Sequence, residues 1–383
     1  MSLFLISRSL RRRSSTSVYL PLLLSKGFST TKSLRQKQTP PCSILGASDT
    51  NDDDVWRLQV AYSNKLKIIP LEKKIPLELV YKEHDDGKTE TIGASHGWIA
   101  TVKEDGILRL QDDFNPVASD ANPKRIPLPP LVTLAHCQTK IITNVSMSSS
   151  CPEDDEDCVV AVKFLGPQLS FCKPASKRRE WTNVKIQHPC FFSSRVVYSE
   201  KDNMFRIPGS RGKLIGSWDP CNPSDDPKLH KVERYTNFPR IPITTPVRPP
   251  PKDVDVDPGI TILHLVESRP TGETFLVTQH KIRAKNKQGV AILKTSILLV
   301  CKLDDQGNAV YVRDMGDLVI FLSRSEPFCV PASSFPGMRP NELHLYDDDD
   351  MIFVDVDDLP FNYIFTISGP HLVPYQIPPQ DIK

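Results

Sequence analysis

The sequence predicts an all-β chain, and three observations predict it. Thirty-five prolines stand against seventeen glycines, a proline share far above the ordinary one, and proline interrupts helices. No long segment keeps the 3.6-residue apolar period of an amphipathic helix. Short runs rich in Val, Ile, Phe and Thr recur instead, and clusters of Gly, Pro, Asp and Asn separate them.

The runs come in order at residues 55–62, 97–102, 158–164, 168–172, 195–198, 260–266, 274–282, 290–302, 318–322 and 351–356. Hairpin punctuation falls at Glu104-Asp105-Gly106, Gly166-Pro167, Pro208-Gly209, Thr271-Gly272 and Asp304-Asp305-Gln306-Gly307-Asn308, residue types that supply positive φ or bond their own backbone. Four units share one grammar, in which a strand leads through a turn to a second strand ending near an aromatic residue. They run from His96 to Leu110, Cys158 to Trp181, Arg195 to Trp218 and Ile262 to Tyr311. A repeat of roughly 40–60 residues suits propeller blades; sandwich strands return every 8–12 or so. The expected architecture is therefore a β-propeller of about six or seven blades. The proline-rich stretch 238–258 reads as an extended connection between blades, and Ser148 to Asp157 as a solvated acidic turn.

Residues 1–48 contain no Asp or Glu, but eight Lys/Arg and eleven Ser. An acid-free, Arg- and Ser-rich start with interleaved apolar residues is the composition of an organellar transit peptide. Leu3, Phe4, Leu5, Ile6 and Leu10 beside Arg8, Arg11, Arg12 and Arg13 make, on a helix, an apolar stripe with a cationic flank. The apolar run 18–24 only just reaches the length of a secretory core, about seven residues, and Pro21 interrupts it. Nothing approaches ~18 consecutive apolar residues, so no membrane insertion is expected. Lys26-Gly27-Phe28-Ser29 resembles the cleavage junction of plant mitochondrial presequences. The division that follows is a mitochondrial transit peptide at 1–28 (a chloroplast address being the alternative), a disordered linker at 29–54 and the propeller at 55–383. Loss of the five basic residues of 1–28 takes the formal charge from +2 to −3. A mildly acidic chain is a poor partner for nucleic acid, whose backbone asks for a concentrated basic face.

Motifs for chemistry are sparse. The nine cysteines form no CxxC pair and no zinc-like spacing, and Cys158, Cys172, Cys190 and Cys301 lie in apolar runs that predict buried thiols. Gly209 to Leu214 is two spacer residues short of a phosphate-binding loop and reads as a hairpin turn. Ser95 and His96 are neighbours that strand geometry sends to opposite faces, so they are not a dyad; His96 is expected to cap backbone groups. The acidic run Asp347 to Asp350 with Asp355, Asp357 and Asp358 lacks the Gly and Glu of a calcium loop. Lys177-Arg178-Arg179 beside Trp181 reads as a hairpin tip. No catalytic, cofactor or metal residue is assigned.

A longer signature lies near the C-terminus. Met315-Gly316-Asp317-Leu318-Val319-Ile320-Phe321-Leu322 precedes Phe328-Cys329-Val330-Pro331-Ala332-Ser333-Ser334-Phe335-Pro336-Gly337-Met338-Arg339-Pro340-Asn341, then Glu342 to Asp348. Together they resemble the plant family known as domain of unknown function 295, the KIB-type β-propellers. Ser95 to Ala100, the pair Asn115-Pro116 with Ile126 to Pro129, and Lys163 to Trp181 are similar to further family segments, in order, so that the resemblance covers roughly 55–367. Ala309 and Ser323 depart from the family's Trp and Gly. Many members open with an F-box; the leader occupies that place here, and 29–54 is too short and polar for such a bundle. The resemblance therefore implies an organelle-targeted branch without an F-box. It implies a non-catalytic scaffold for a protein partner, with an enzyme site in the propeller channel as the alternative and a ubiquitin-ligase adaptor as a third reading. The channel enzyme asks for His, Asp and Arg gathered at one mouth.

Overall fold

The computed structural model describes residues 38–49, 55–65, 67–79, 89–135, 137, 141–220, 229–238, 260–285, 289, 291–347, 351–359 and 374–382. The chain divides into Met1–Gln36, outside the described residues, and Lys37–Lys383, which holds every strand below.

Among the described residues six four-stranded sheets form the blades of a β-propeller. Blade 1 joins β1 (Cys42–Asp49), β2 (Val55–Tyr62) and β3 (Lys67–Pro76) to the last strand of the chain, β24 (Gln376–Ile377). Blade 2 holds β4 (Thr89–Ser95), β5 (Trp98–Lys103), β6 (Ile107–Gln111) and β7 (Arg125–Pro130). Blade 3 holds β8 (Ile142–Met147), β9 (Val160–Phe164), β10 (Gln168–Cys172) and β11 (Thr182–Lys185). Blade 4 holds β12 (Val197–Ser199), β13 (Met204–Pro208), β14 (Leu214–Trp218) and β15 (Leu229–Arg234). In blade 5 come β16 (Ile260–Glu267), β17 (Thr274–Lys285), β18 (Ala291–Leu303) and β19 (Ala309–Tyr311), and in blade 6 β20 (Leu318–Leu322), β21 (Phe328–Pro331), β22 (Glu342–Tyr346) and β23 (Met351–Asp355). The four repeat units read from the sequence fall in blades 2 to 5. All five expected turns sit between paired strands, as at Asp304, whose carboxylate accepts from the backbone N–H of Gln306 and Asn308 at 3.0 and 2.7 Å.

One boundary is corrected. Residues 42–49, assigned to the linker, form β1, which pairs with β2 on one side and with β24 on the other. Composition hides this strand because Gly46 (φ +135°) shifts the register after Ile44 and breaks the apolar alternation. The pairing of Cys42 with Ile377 and Ser43 with Gln376 closes the ring, because it puts both ends of the domain in one blade. Residues 1–28, expected to be a transit peptide, and nearly all of the proline-rich stretch, residues 239–258, lie outside the described residues.

Apolar side chains fill the spaces between blades. Ile44, Leu58 and Val60 pack with Ala94, Ile99 and Phe114 between blades 1 and 2, and Val266, Phe275 and Val300 pack with Leu318, Ile320 and Leu322 between blades 5 and 6. Strand β20 shows why its sequence, LVIFL, is apolar throughout. Leu318, Ile320 and Leu322 face blade 5, whereas Val319 and Phe321 face the other way and pack with Phe335 and Met338.

Blade 6 is threaded differently from the rest. Its order is β21-β20-β22-β23, with β20 parallel to β22. A parallel pair needs a crossover, and the segment 332–341, Ala-Ser-Ser-Phe-Pro-Gly-Met-Arg-Pro-Asn, supplies it. The Asp317 carboxylate takes the Ser333 backbone N–H at 3.0 Å and also its hydroxyl. Asn341, at φ +61°, accepts from Met315 N–H at 2.8 Å and donates to Arg313 O at 3.0 Å and Asp355 Oδ1 at 2.8 Å. Gly337 sits at φ +95° against the β2–β3 turn, where a Cβ would lie 2.6 Å from Asn64 O. The signature residues are thus the parts of a crossover.

Candidate functional site

The axis-facing edge of each blade is β24, β4, β8, β12, β16 or β21. At one end of this ring the turns leaving those strands surround a cavity of about 380 Å³. Its lining includes His96, Tyr198, Glu267, Arg269, Glu326 and Asp381, with Pro270, Pro327, Pro331, Pro378 and Pro379 as apolar wall.

Glu326, in the turn between β20 and β21, lies at the centre. One carboxylate oxygen accepts from the Ser146 hydroxyl at 2.6 Å and the Tyr198 N–H at 2.7 Å; the other accepts from the Ser95 hydroxyl at 2.5 Å. Its own N–H donates to Ala94 O at 2.6 Å. Three other blades therefore converge on one side chain. Glu326 keeps some open surface and belongs to the cavity lining, yet the strands around it desolvate the carboxylate. Burial pushes its pKa up, against the pull of those hydrogen bonds.

His96 shapes the next sector. It occupies the β4–β5 turn at φ +52°, and its Nε2 lies 3.2 Å from Met147 O. A carbonyl accepts only from a protonated nitrogen, so Nε2 carries the hydrogen and Nδ1 is an acceptor. Burial, then the Arg269 guanidinium, lower its pKa to about 4 and keep the ring neutral. The backbone-capping role expected of His96 is the one it plays, and Ser95 bonds Glu326 instead of the imidazole.

The remaining charges sort into pairs and singles. Arg206 pairs with Glu233 at 2.7 Å and lies 3.6 Å from Asp202; Arg269 pairs with Glu200 at 2.8 Å. Glu267 caps the next turn, taking the Ser199 hydroxyl at 2.5 Å and the Lys201 N–H at 3.0 Å. Among the described residues Glu267, Glu326 and Asp381 have no ion pair. The Cys329 thiol, on the cavity wall, is pushed up to about 11 by burial.

Other residues raised by the sequence lie away from the mouth. Gly209 to Leu214 form the β13–β14 turn, and Lys177, Arg178 and Arg179 an exposed hairpin tip, near which Trp181 donates to Pro129 O at 2.7 Å. Asp347 is tied to buried Lys281, Asp355 caps Asp357 N–H at 3.0 Å, and residues 348–350 lie outside the described residues. Cys158, Cys172 and Cys301 are buried free thiols, and Cys190 is half-buried. Among the described residues no three His, Cys, Asp or Glu gather as a metal site. Sequence reasoning missed Glu326 and Glu267, since neither sits in a recognisable motif.

Comparison with known proteins places the chain. Residues 68–362 match the KIB1-4 beta-propeller family, and the chain belongs to it. No curated protein matches. The solved structures it is similar to include the allergen Mala s 1 of Malassezia sympodialis, 10% identical over 88% of this chain and 90% of that one, with a TM-score of 0.36. The Neurospora crassa Pan2 WD40 domain is 12% identical over 83% and 76%, at 0.33. A Lactobacillus plantarum protein is 11% identical over 90% and 99%, at 0.39. Likenesses this distant carry no argument about what the chain does.

Proposed function

We propose that this chain is a non-catalytic protein-interaction scaffold of an organelle. The observation that carries the reading is the commitment of the mouth's reactive groups to the fold itself. The Ser95 hydroxyl is spent on Glu326, His96 Nε2 on Met147 O, and the Cys329 thiol is held protonated. A nucleophile needs a base within reach, and these groups are not offered to one another. The acid-free N-terminus supports a mitochondrial address, with the chloroplast as the alternative. Incubation of tagged full-length chain with isolated organelles, followed by sequencing of the imported N-terminus, tests the address: a mature start near Ser29 is expected, and no import removes it. Crosslinked pull-down of the imported protein tests the scaffold: a stoichiometric partner is expected, and recovery of import and chaperone proteins alone overturns it.

One observation favours a channel enzyme instead, namely that His96, Asp381, Arg206 and Arg269 share the lining of one cavity. Hydrolysis of generic lactone, ester or phosphoester substrates by purified protein, abolished by His96→Asn, would establish that reading against ours.

A further inference from the structure

The cavity's chemistry is lopsided, and the imbalance names a ligand. Its floor and walls present acceptors: the carboxylates of Glu326, Glu267 and Asp381, and the acceptor Nδ1 of a neutral His96. Its two cations are already spoken for, Arg206 by Glu233 and Asp202, and Arg269 by Glu200. The walls between are proline, with Tyr198 and Phe328 as aromatic surface. A volume of about 380 Å³ lies in the range of sites that enclose a small ligand or one long side chain, about 300–1,000 Å³. An acceptor-rich floor below an apolar collar matches a group with several N–H donors on an aliphatic stem.

We infer that the axial mouth receives a guanidinium or alkylammonium group, presented as an Arg or Lys side chain by the protein partner. The inference rests on the scaffold reading and gives that reading its recognition chemistry. Glu326 is its centre: three blades hold the carboxylate fixed, so a cation meets a preorganised charge with no reorganisation at the moment of binding. Arg269, more than half exposed on the β16–β17 hairpin, is a like charge at the rim that the ligand must pass.

The test is calorimetric titration of the full-length chain at low ionic strength with the peptide acetyl-Gly-Arg-Gly-amide. Its lysine and citrulline counterparts and free agmatine are titrated in parallel. Saturable binding of the arginine and lysine peptides is expected, at least tenfold tighter than citrulline, which keeps the shape and lacks the charge. Glu326→Gln should weaken the arginine peptide at least tenfold; if that variant loses cooperative unfolding, Glu267→Gln replaces it, with a severalfold loss expected. Arg269→Ala should bind two- to fivefold tighter, because a repelling charge is gone. Equal binding of citrulline, absence of saturable heat with every probe, or weaker binding by Arg269→Ala overturns the inference, the last by marking the mouth as an anion site. Agmatine binding with no peptide binding also overturns it, in favour of a free organic cation. Undiminished recovery of the pull-down partner by the Glu326→Gln, Glu267→Gln double variant, shown to unfold cooperatively, would leave the scaffold standing and remove this contact; loss of any partner from wild type would remove the scaffold itself.

Discussion

The two ends of blade 6 solve similar bonding problems with opposite sequence economies. At the crossover end the Asp317 carboxylate takes a serine hydroxyl, and Asn341 staples three neighbours. Every partner lies between Arg313 and Asp355. At the mouth end the Glu326 carboxylate also takes serine hydroxyls, but its partners Ser95, Ser146 and Tyr198 are 231, 180 and 128 residues away. The near bonds write a contiguous signature that marks a family. The far ones exist only where distant blades meet at the axis, and they leave no local trace. In this chain the visible motif builds the scaffold, and the group at the centre of the candidate site is silent.

The largest losses should come from the backbone positions that turn the crossover. Gly337→Ala places a Cβ 2.6 Å from Asn64 O at φ +95°, a backbone clash added to a strained conformation. Asn341→Ala removes three hydrogen bonds at φ +61°. Each should lower unfolding free energy by about 3–4 kcal/mol, read from the urea midpoint at unchanged slope. A loss under about 1 kcal/mol in both would mean that another part of the blade holds the crossover.

The mouth end should show itself through pH. His96 is lowered from 6.5 to about 4, so between those values the unfolded chain binds a proton that the native one refuses. Stability is therefore intact above pH 6.5 and lost as pH falls toward 4. The size is on the order of 3 kcal/mol at the acid end. His264, also lowered to about 4, contributes with the same sign. His96→Asn keeps a residue that tolerates φ +52° and should make the acid slope shallower, followed by urea titrations from pH 7 to pH 4. An unchanged slope would show that His96 is solvated.

What was legible follows the same division. Strand β20 and the hairpin turns were readable because both faces of a blade are buried and the turns demand Gly, Asp or Asn at fixed places. Strand β1 was not, since Gly46 breaks its alternation and its sheet needs a strand from the far end of the chain. His96 was legible as a capping residue, although strand geometry was the ground for reading it and the structure sets it in the β4–β5 turn. Glu326 was not legible at all: Ser-Glu-Pro at 325–327 reads as an ordinary surface turn, and only the convergence of three other blades makes its carboxylate central.

The sharpest comparison uses one chemical change at both ends. Ser146 and Ser333 each give a hydroxyl to a carboxylate, Glu326 and Asp317. Ser146 is fully buried, and Ser333 is exposed. Removing one of three donors from a desolvated charge takes away solvation that water does not restore, so Ser146→Ala should cost about 2 kcal/mol even with the Tyr198 N–H and Ser95 hydroxyl in place. At Ser333 water replaces the hydroxyl, and the Ser333 N–H still holds Asp317 at 3.0 Å, so Ser333→Ala should cost under about 0.5 kcal/mol. Urea denaturation of the two variants side by side measures the difference. Equal losses would mean that water reaches Glu326 freely, and the mouth would then be a wet funnel with its carboxylate already solvated.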